Sequence, residues 1–386
     1  MRLPPPKIAA LAVVSIAFLA DTVLYYLLVP LLPSYARDLH LSQRGVSLLF
    51  GSYAAALLLS TFPLGRLADV VGRRTTMLWG LAGLGTTTLL FALSSSFPLL
   101  VAARVLQGVS AAATWTSGLA LVADHFPASE RGRAMGTVFA FANFGILAGP
   151  PLAGYLAERF GPRSPFLAAA LLVLLDAAAR AFLLRDAPEG ARGEPGRVGT
   201  LLRDGTVAAL AGAMVLGSSI FALLESVLPL DFDSRLGKSP VQIGIAFAVA
   251  AATHTVTSPL MGRLSDRVGR KRVIVAGLLA TPIVLPLPAL LPGWWGVLGA
   301  MALLGVLGSF LLSPVSPGLA DAVERSGSRA FGSGFALLNL SYAAGMLLGP
   351  VAGGILVPFV GLPVALVAIG ATFALYAIVV ARSSSS

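Results

Sequence analysis

Long apolar runs, broken by short polar or glycine- and proline-bearing stretches, follow one another along the whole chain. A helix needs about 20 apolar residues to cross the hydrocarbon core of a bilayer. Runs of that order occur twelve times, at residues 8–34, 45–64, 75–94, 98–122, 134–157, 165–184, 206–230, 240–261, 273–291, 295–318, 332–356 and 361–381. The pattern predicts an all-α integral membrane protein with twelve transmembrane helices.

The breaks between the runs repeat. Gly65-Arg66-Leu67-Ala68-Asp69-Val70-Val71-Gly72-Arg73-Arg74-Thr75 returns as Gly262-Arg263-Leu264-Ser265-Asp266-Arg267-Val268-Gly269-Arg270-Lys271-Arg272, 197 residues later. Each copy reads as an arginine-dense loop between two spans. Leu147-Ala148-Gly149-Pro150 in span five returns as Leu348-Gly349-Pro350 in span eleven, with the glycines 200 residues apart. Between spans six and seven, Arg185 to Arg197 is the one extended polar stretch with helix breakers, which marks a linker. The reading is two six-helix pseudo-repeats, 1–184 and 205–386, joined by a cytoplasmic linker at 185–204. Parallel six-span repeats with a site between them are the layout of alternating-access transporters.

Composition agrees with the pattern and the charges orient it. Hydrophobic residues make up 56% of the chain and charged residues 11%, against about a quarter charged in soluble domains. The net charge of +10 does not mark a nucleic-acid partner, because the basic residues sit in short loops between spans. With the N-terminus inside, 19 of the 27 Lys and Arg fall on the cytoplasmic side, six on the other, and Arg104 and Arg180 within spans. That bias places both termini in the cytoplasm, in the cell membrane, and the first apolar run reads as a retained span instead of a cleaved signal. With no Cys and three His, disulfides and thiolate metal sites are excluded. No metal site, cofactor site or nucleophile-and-base constellation is expected, so the chain does not read as an enzyme. Gly237-Lys238-Ser239 is not a phosphate loop, since position 233 is Asp and Pro240 follows.

Ionisable groups inside spans are costly and therefore functional candidates. Asp21 lies near the middle of span one, with Tyr25 one turn on and Pro30 and Pro33 beyond. A carboxylate beside an aromatic face suits an organic cation; the alternative is an acid permanently paired with a neighbouring helix. Glu225, in span seven with Pro229 a turn later, takes the matching place in the second half. It is either a carboxyl that binds and releases a proton during work or one hydrogen-bonded across helices for good. Arg104, followed by Gln107 and Gly108, implies a packed polar interface. Asp176 and Arg180 stand four apart and read as an ion pair; His254 reads as a histidine hydrogen-bonded to a neighbour, with proton relay as the other possibility. Asp69 and Arg73, and Asp266 and Arg270, suggest a charge-paired latch. Glycines and prolines from Gly145 through Gly149 and Pro150 to Gly154 suggest a kinked, closely approached helix that rocks.

On these motifs the chain resembles the major facilitator superfamily over essentially its full length. The twin arginine-rich stretches look like the family's gating motif, Arg104 to Gly108 like its proton-coupling motif, and Gly145 to Gly154 like the motif of its antiporter members. Within the family, Asp21 through Tyr35, Gly149-Pro150-Pro151, Leu172 to Asp176 and Leu224 to Pro229 resemble the vesicular amine transporters and their bacterial drug:proton antiporter relatives. The resemblance implies an amine bound by Asp21 and export of hydrophobic or cationic small molecules in exchange for protons, with Asp21, Glu225 and Arg104 coupling and Asp21, Tyr25, Glu225 and Asn339 lining the site. The chain departs from the vesicular transporters where they carry further acids: span ten offers Gly308-Ser309-Phe310 and span eleven Asn339, neither of which titrates. A symporter or uniporter for a sugar or other neutral metabolite is the alternative, although polar amides are scarce in the spans. The expected partners are a small-molecule substrate, protons and the bilayer. One chain carries both halves, so a monomer suffices.

Overall fold

The computed structural model describes residues 6–94, 96–183, 202–315, 317–319 and 331–383. Among the described residues thirteen helices follow in order: α1 Pro6–Asp38, α2 Gln43–Val71, α3 Arg73–Leu93, α4 Phe97–His125, α5 Ala128–Phe160, α6 Ser164–Leu183, α7 Gly205–Leu236, α8 Pro240–Val268, α9 Arg270–Val284, α10 Leu287–Leu290, α11 Trp294–Leu312, α12 Phe331–Val360 and α13 Leu362–Arg382. Among the described residues, eleven segments are long and apolar enough to cross a membrane. α6 supplies the remaining apolar helix at the sixth expected span. The all-helical, twelve-span fold expected from the sequence is therefore the one observed. Span nine is built from α9 and the short α10, which meet at Pro286; proline has no N–H to continue the ladder.

One expectation needs correcting. The arginine-dense stretches are not loops: α2 runs on through Arg66 and Asp69 to Val71, and α8 through Arg263 and Asp266 to Val268. Apolar composition ends where the hydrocarbon ends, but backbone N–H and C=O groups keep their i to i+4 partners into the polar layer. Only one residue breaks each helix, Gly72 with φ 104° and Gly269 with φ 98°. A side chain is strained in that left-handed region, and glycine is not. The polar linker lies largely outside the described residues, as does the side chain of Arg180.

The chain forms two compact units. The first holds Met1–His40, Ser52–Arg192 and Lys238–Ala248; the second holds Leu41–Gly51, Gly193–Gly237 and Val249–Ser386. Each thus keeps the body of its own six-helix half and takes in the opening turns of a helix from the other. In the first unit α1 packs along α5, and α3 lies against α4 and α6; in the second, α7 packs along α12, and α9 lies against α11 and α13. The same pairing in both units is the structural counterpart of the sequence repeat.

α1 and α7 are apolar around their whole circumference, the pattern of a helix enclosed by others. In each, 72% of the most apolar window is buried, and these two helices carry Asp21 and Glu225. Close approach between α1 and α5 rests on missing side chains. A Cβ on Gly145 would overlap Thr22 Oγ1, and one on Gly149 would sit 3.3 Å from Tyr26 Cβ. In the second unit, Gly345 and Gly349 of α12 meet the α7 backbone at Val215 and Ser219 in the same manner. A small-residue face of this kind lets two backbones touch in a medium where hydrophobicity does not drive helices together.

Candidate functional site

Within the first unit, α1 and α4 bring Asp21, Tyr25 and Arg104 into one buried polar layer. Asp21 is 3% exposed, and Trp115 Nε1 donates a 2.7 Å hydrogen bond to its Oδ2. The indole is held in turn by Phe18, with ring centroids 4.0 Å apart, and by Phe139 at 6.3 Å. A carboxylate that accepts an N–H bond in a dry site keeps a fixed direction. Arg104, on the same helix as Trp115, lies within Coulombic reach of the same carboxyl.

Tyr25, the aromatic neighbour expected beside Asp21, also faces Arg104. Tyr25 stands one turn along the same face, and the guanidinium of Arg104 lies over its ring at 5.3 Å, over Tyr53 at 5.5 Å and over Phe91 at 5.9 Å. Tyr25 and Tyr53 also meet, with centroids 4.9 Å apart. Arg104 is 1% exposed and donates through Nη1 to Gln107 Oε1 at 3.2 Å. The aromatic box around Arg104 replaces part of its hydration through cation–π attraction. The acid's own aromatic neighbour is Trp115, which the sequence reading missed. The available signal was a tryptophan in the run Thr114-Trp115-Thr116-Ser117, an unusually polar stretch for the middle of a span.

The other candidates distribute as follows. Glu225 is 3% exposed on α7; beside it Ser226 donates to Leu223 O, and its carbonyl accepts from Gln43 Nε2 at 2.9 Å. Asn339 is partly buried on α12. Asp176 is buried on α6. Pro150 leaves α5 unbroken, and its carbonyl lies against Gly244 of α8, where a Cβ could not fit.

The charged helix ends carry ion pairs in both units. Arg73 reaches Asp69 at 3.8 Å, but its closer partner is Asp124 on α4 at 2.6 Å, with Asp124 12% exposed and Asp69 58%. Arg73 also donates to Ala120 O, so it ties the start of α3 to the end of α4. Arg270 reaches Asp266 at 3.7 Å. Asp124 was missed because it lies two residues past the apolar run assigned to span four, where an acid reads as an ordinary surface residue. Among the described residues no cluster of His, Cys, Asp and Glu is placed to hold a metal ion.

Comparison with known proteins brings these features together. A family model described as Major Facilitator Superfamily matches residues 14–233 and 210–384. The chain is 31% identical to the chromaffin granule amine transporter of Rattus norvegicus over 336 residues, covering 86% of this chain and 64% of that one. It therefore spans just under two thirds of that relative's length. It is 30% identical to the probable vesicular acetylcholine transporter-B of Danio rerio over 374 residues, covering 91% of this chain and 74% of that protein. Its fold is similar to the inward-facing, occupied crystal structure of a bacterial homolog to the human lysosomal transporter Spinster, with a TM-score of 0.84, 16% identity, and coverage of 98% of this chain and 97% of that one.

Proposed function

The chain belongs to the major facilitator superfamily, and from that premise we propose that it is a secondary active transporter that exports hydrophobic or cationic small molecules, amines among them, in exchange for protons by alternating access. The observation that carries this reading is the Asp21 carboxylate, enclosed in α1 and oriented by Trp115. An intramembrane acid is retained at a cost of several kcal/mol and marks a pathway for substrate or protons. An ammonium group neutralises such an acid by pairing with it, and a proton does so by bonding to it. The two therefore compete, and exchange follows from the competition.

In this reading Asp21 anchors the cation, with Tyr25 as a further contact. Glu225, on the most enclosed helix of the second unit among the described residues, binds and releases the coupling proton, and Arg104 takes part in the coupling. Asp69 with Arg73, Asp266 with Arg270, and the Gly149-Pro150 step take the gating roles. The names of the amine and acetylcholine transporters among its relatives favour an organic cation over a neutral sugar. The driving force is adequate, since a pH unit supplies about 1.4 kcal/mol per proton and 100 mV about 2.3 kcal/mol per charge. In this reading the protein works as a monomer in the cell membrane, and the excess of basic residues on one side of the spans supports both termini being cytoplasmic.

The test is uphill uptake of a monovalent organic cation into proteoliposomes made acidic inside. Wild-type protein should accumulate the cation and release luminal protons, and binding should tighten as pH rises because fewer protons compete. Asp21→Asn should abolish cation binding, and Glu225→Gln should retain binding while losing pH-driven accumulation. Absence of pH-driven accumulation by the wild type refutes exchange; wild-type accumulation by Glu225→Gln removes Glu225 from the proton path.

A further inference from the structure

The second unit contains a polar cluster that the exchange reading does not use. Two hydroxyls lie against the ring of His254 of α8 and a third against one of them: Ser309 Oγ of α11 lies 3.3 Å from its Nδ1, Ser258 Oγ lies 3.4 Å from its Nε2, and Thr257 Oγ1 lies 2.6 Å from Ser309 Oγ. Ser258 and Ser309 are themselves 3.4 Å apart. The ring is closed off by the edge of Phe221 on α7, with centroids 5.8 Å apart. Gly305 and Gly308 of α11 bring that helix against the imidazole; a Cβ on Gly308 would stand 3.2 Å from Nδ1.

The hydroxyls matter because each can reverse its role. Ser309 also has His254 O at 3.1 Å and Gly305 O at 3.3 Å as acceptors, and Thr257 has Thr253 O at 2.6 Å. A serine that donates to a bare ring nitrogen can turn its hydrogen to a carbonyl and accept from a protonated nitrogen instead. Neutral and protonated imidazole are then both satisfied with no heavy atom moving. A partly buried imidazole kept for packing alone has no use for that arrangement. The charged groups on the surrounding helices are few. α11 has no ionisable residue; α7 has Glu225 one turn beyond Phe221, then Asp231, Asp233 and Arg235; α8 has Arg263, Asp266 and Arg267 at its far end.

We propose that His254, with Ser258 and Ser309 as its reversible partners, is a second proton-binding site within the membrane, loaded and emptied once per transport cycle. The proposal rests on the proton-exchange reading and adds a carrier to it. The bookkeeping is simple: a proton from water bonds to a ring nitrogen, the hydroxyl hydrogen on that side swings to a backbone carbonyl, and the reverse returns the proton to the opposite compartment.

Two measurements on the full chain test it. The first is ¹⁵N NMR of imidazole-labelled protein in nanodiscs, with His254→Gln identifying the His254 signals among the three histidines. The signals should move between neutral and doubly protonated positions over pH 5 to 9, and Ser309→Ala, which keeps the ring, should move the midpoint. A pH-invariant ring, or a midpoint unmoved by Ser309→Ala, overturns the proposal. The second is the proton-to-cation ratio, read as the cation gradient that balances a known pH gradient at zero flux. His254→Gln should lower the ratio by one proton; an unchanged ratio also overturns it. Failure of the exchange reading is seen separately, as a wild-type protein that no pH gradient drives, and the NMR titration then decides on its own whether His254 binds a proton.

Discussion

Replacing Trp115 with Phe isolates the bond that orients Asp21. The substitution removes the Nε1–H donated to Oδ2 at 2.7 Å and keeps an aromatic ring against Phe18, whose centroid is 4.0 Å away. Hydrogen bonds to charged groups contribute about 1.5–3 kcal/mol net. If the donor holds the carboxylate in the direction a cation needs, that energy is lost from binding, and at about 1.4 kcal/mol per decade the affinity falls roughly tenfold to 100-fold. Packing alone predicts far less, since the ring is conserved. The assay is calorimetric titration of a monovalent organic cation into wild type and Trp115→Phe at one pH, with thermal unfolding confirming that both are folded and Asp21→Asn as the non-binding control. A dissociation constant for Trp115→Phe within twofold of wild type would refute the orienting role.

Two further expectations concern assembly. Asp124→Asn should destabilise the fold by about 1–3 kcal/mol, because it removes the closer, more enclosed partner of Arg73, whereas Asp69→Asn at an exposed 3.8 Å pair should change stability by less than about 1 kcal/mol; equal shifts in melting temperature would argue against this ranking. Gly145→Ala should cost about 1–3 kcal/mol through overlap with Thr22 and weaken cation binding at the neighbouring Asp21. Gly136→Ala on the same helix, where a Cβ meets open space, should be neutral or stabilising, and identical unfolding profiles for the two would remove the close-packing argument.

The number of helices, their repeat and the enclosed acids were legible in the chain because each depends on local composition. An apolar run of spanning length has one stable backbone arrangement in lipid, and Asp21, Arg104 and Glu225 stand out from such runs wherever the helices finally sit. The extent of the helices past Arg66 and Arg263 was not legible, since hydrophobicity reports where hydrocarbon ends and says nothing of where backbone bonding ends. Partner choice was least legible of all. Tyr25, four residues from Asp21, also takes the Arg104 guanidinium over its ring, and Trp115, 94 residues away, donates to Asp21; Arg73 lies closer to Asp124 on another helix than to Asp69 one turn away. His254 was expected to hydrogen-bond a neighbour, but that neighbour's identity as Ser309 follows only from the placement of α11. Spacing along one helix determines which residues share a face, but which of them meet an acid or a cation depends on the rotation and approach of the neighbouring helix. That is set by close contacts such as Gly145 against Thr22 and Gly308 against the imidazole, and these exist only once the helices are packed.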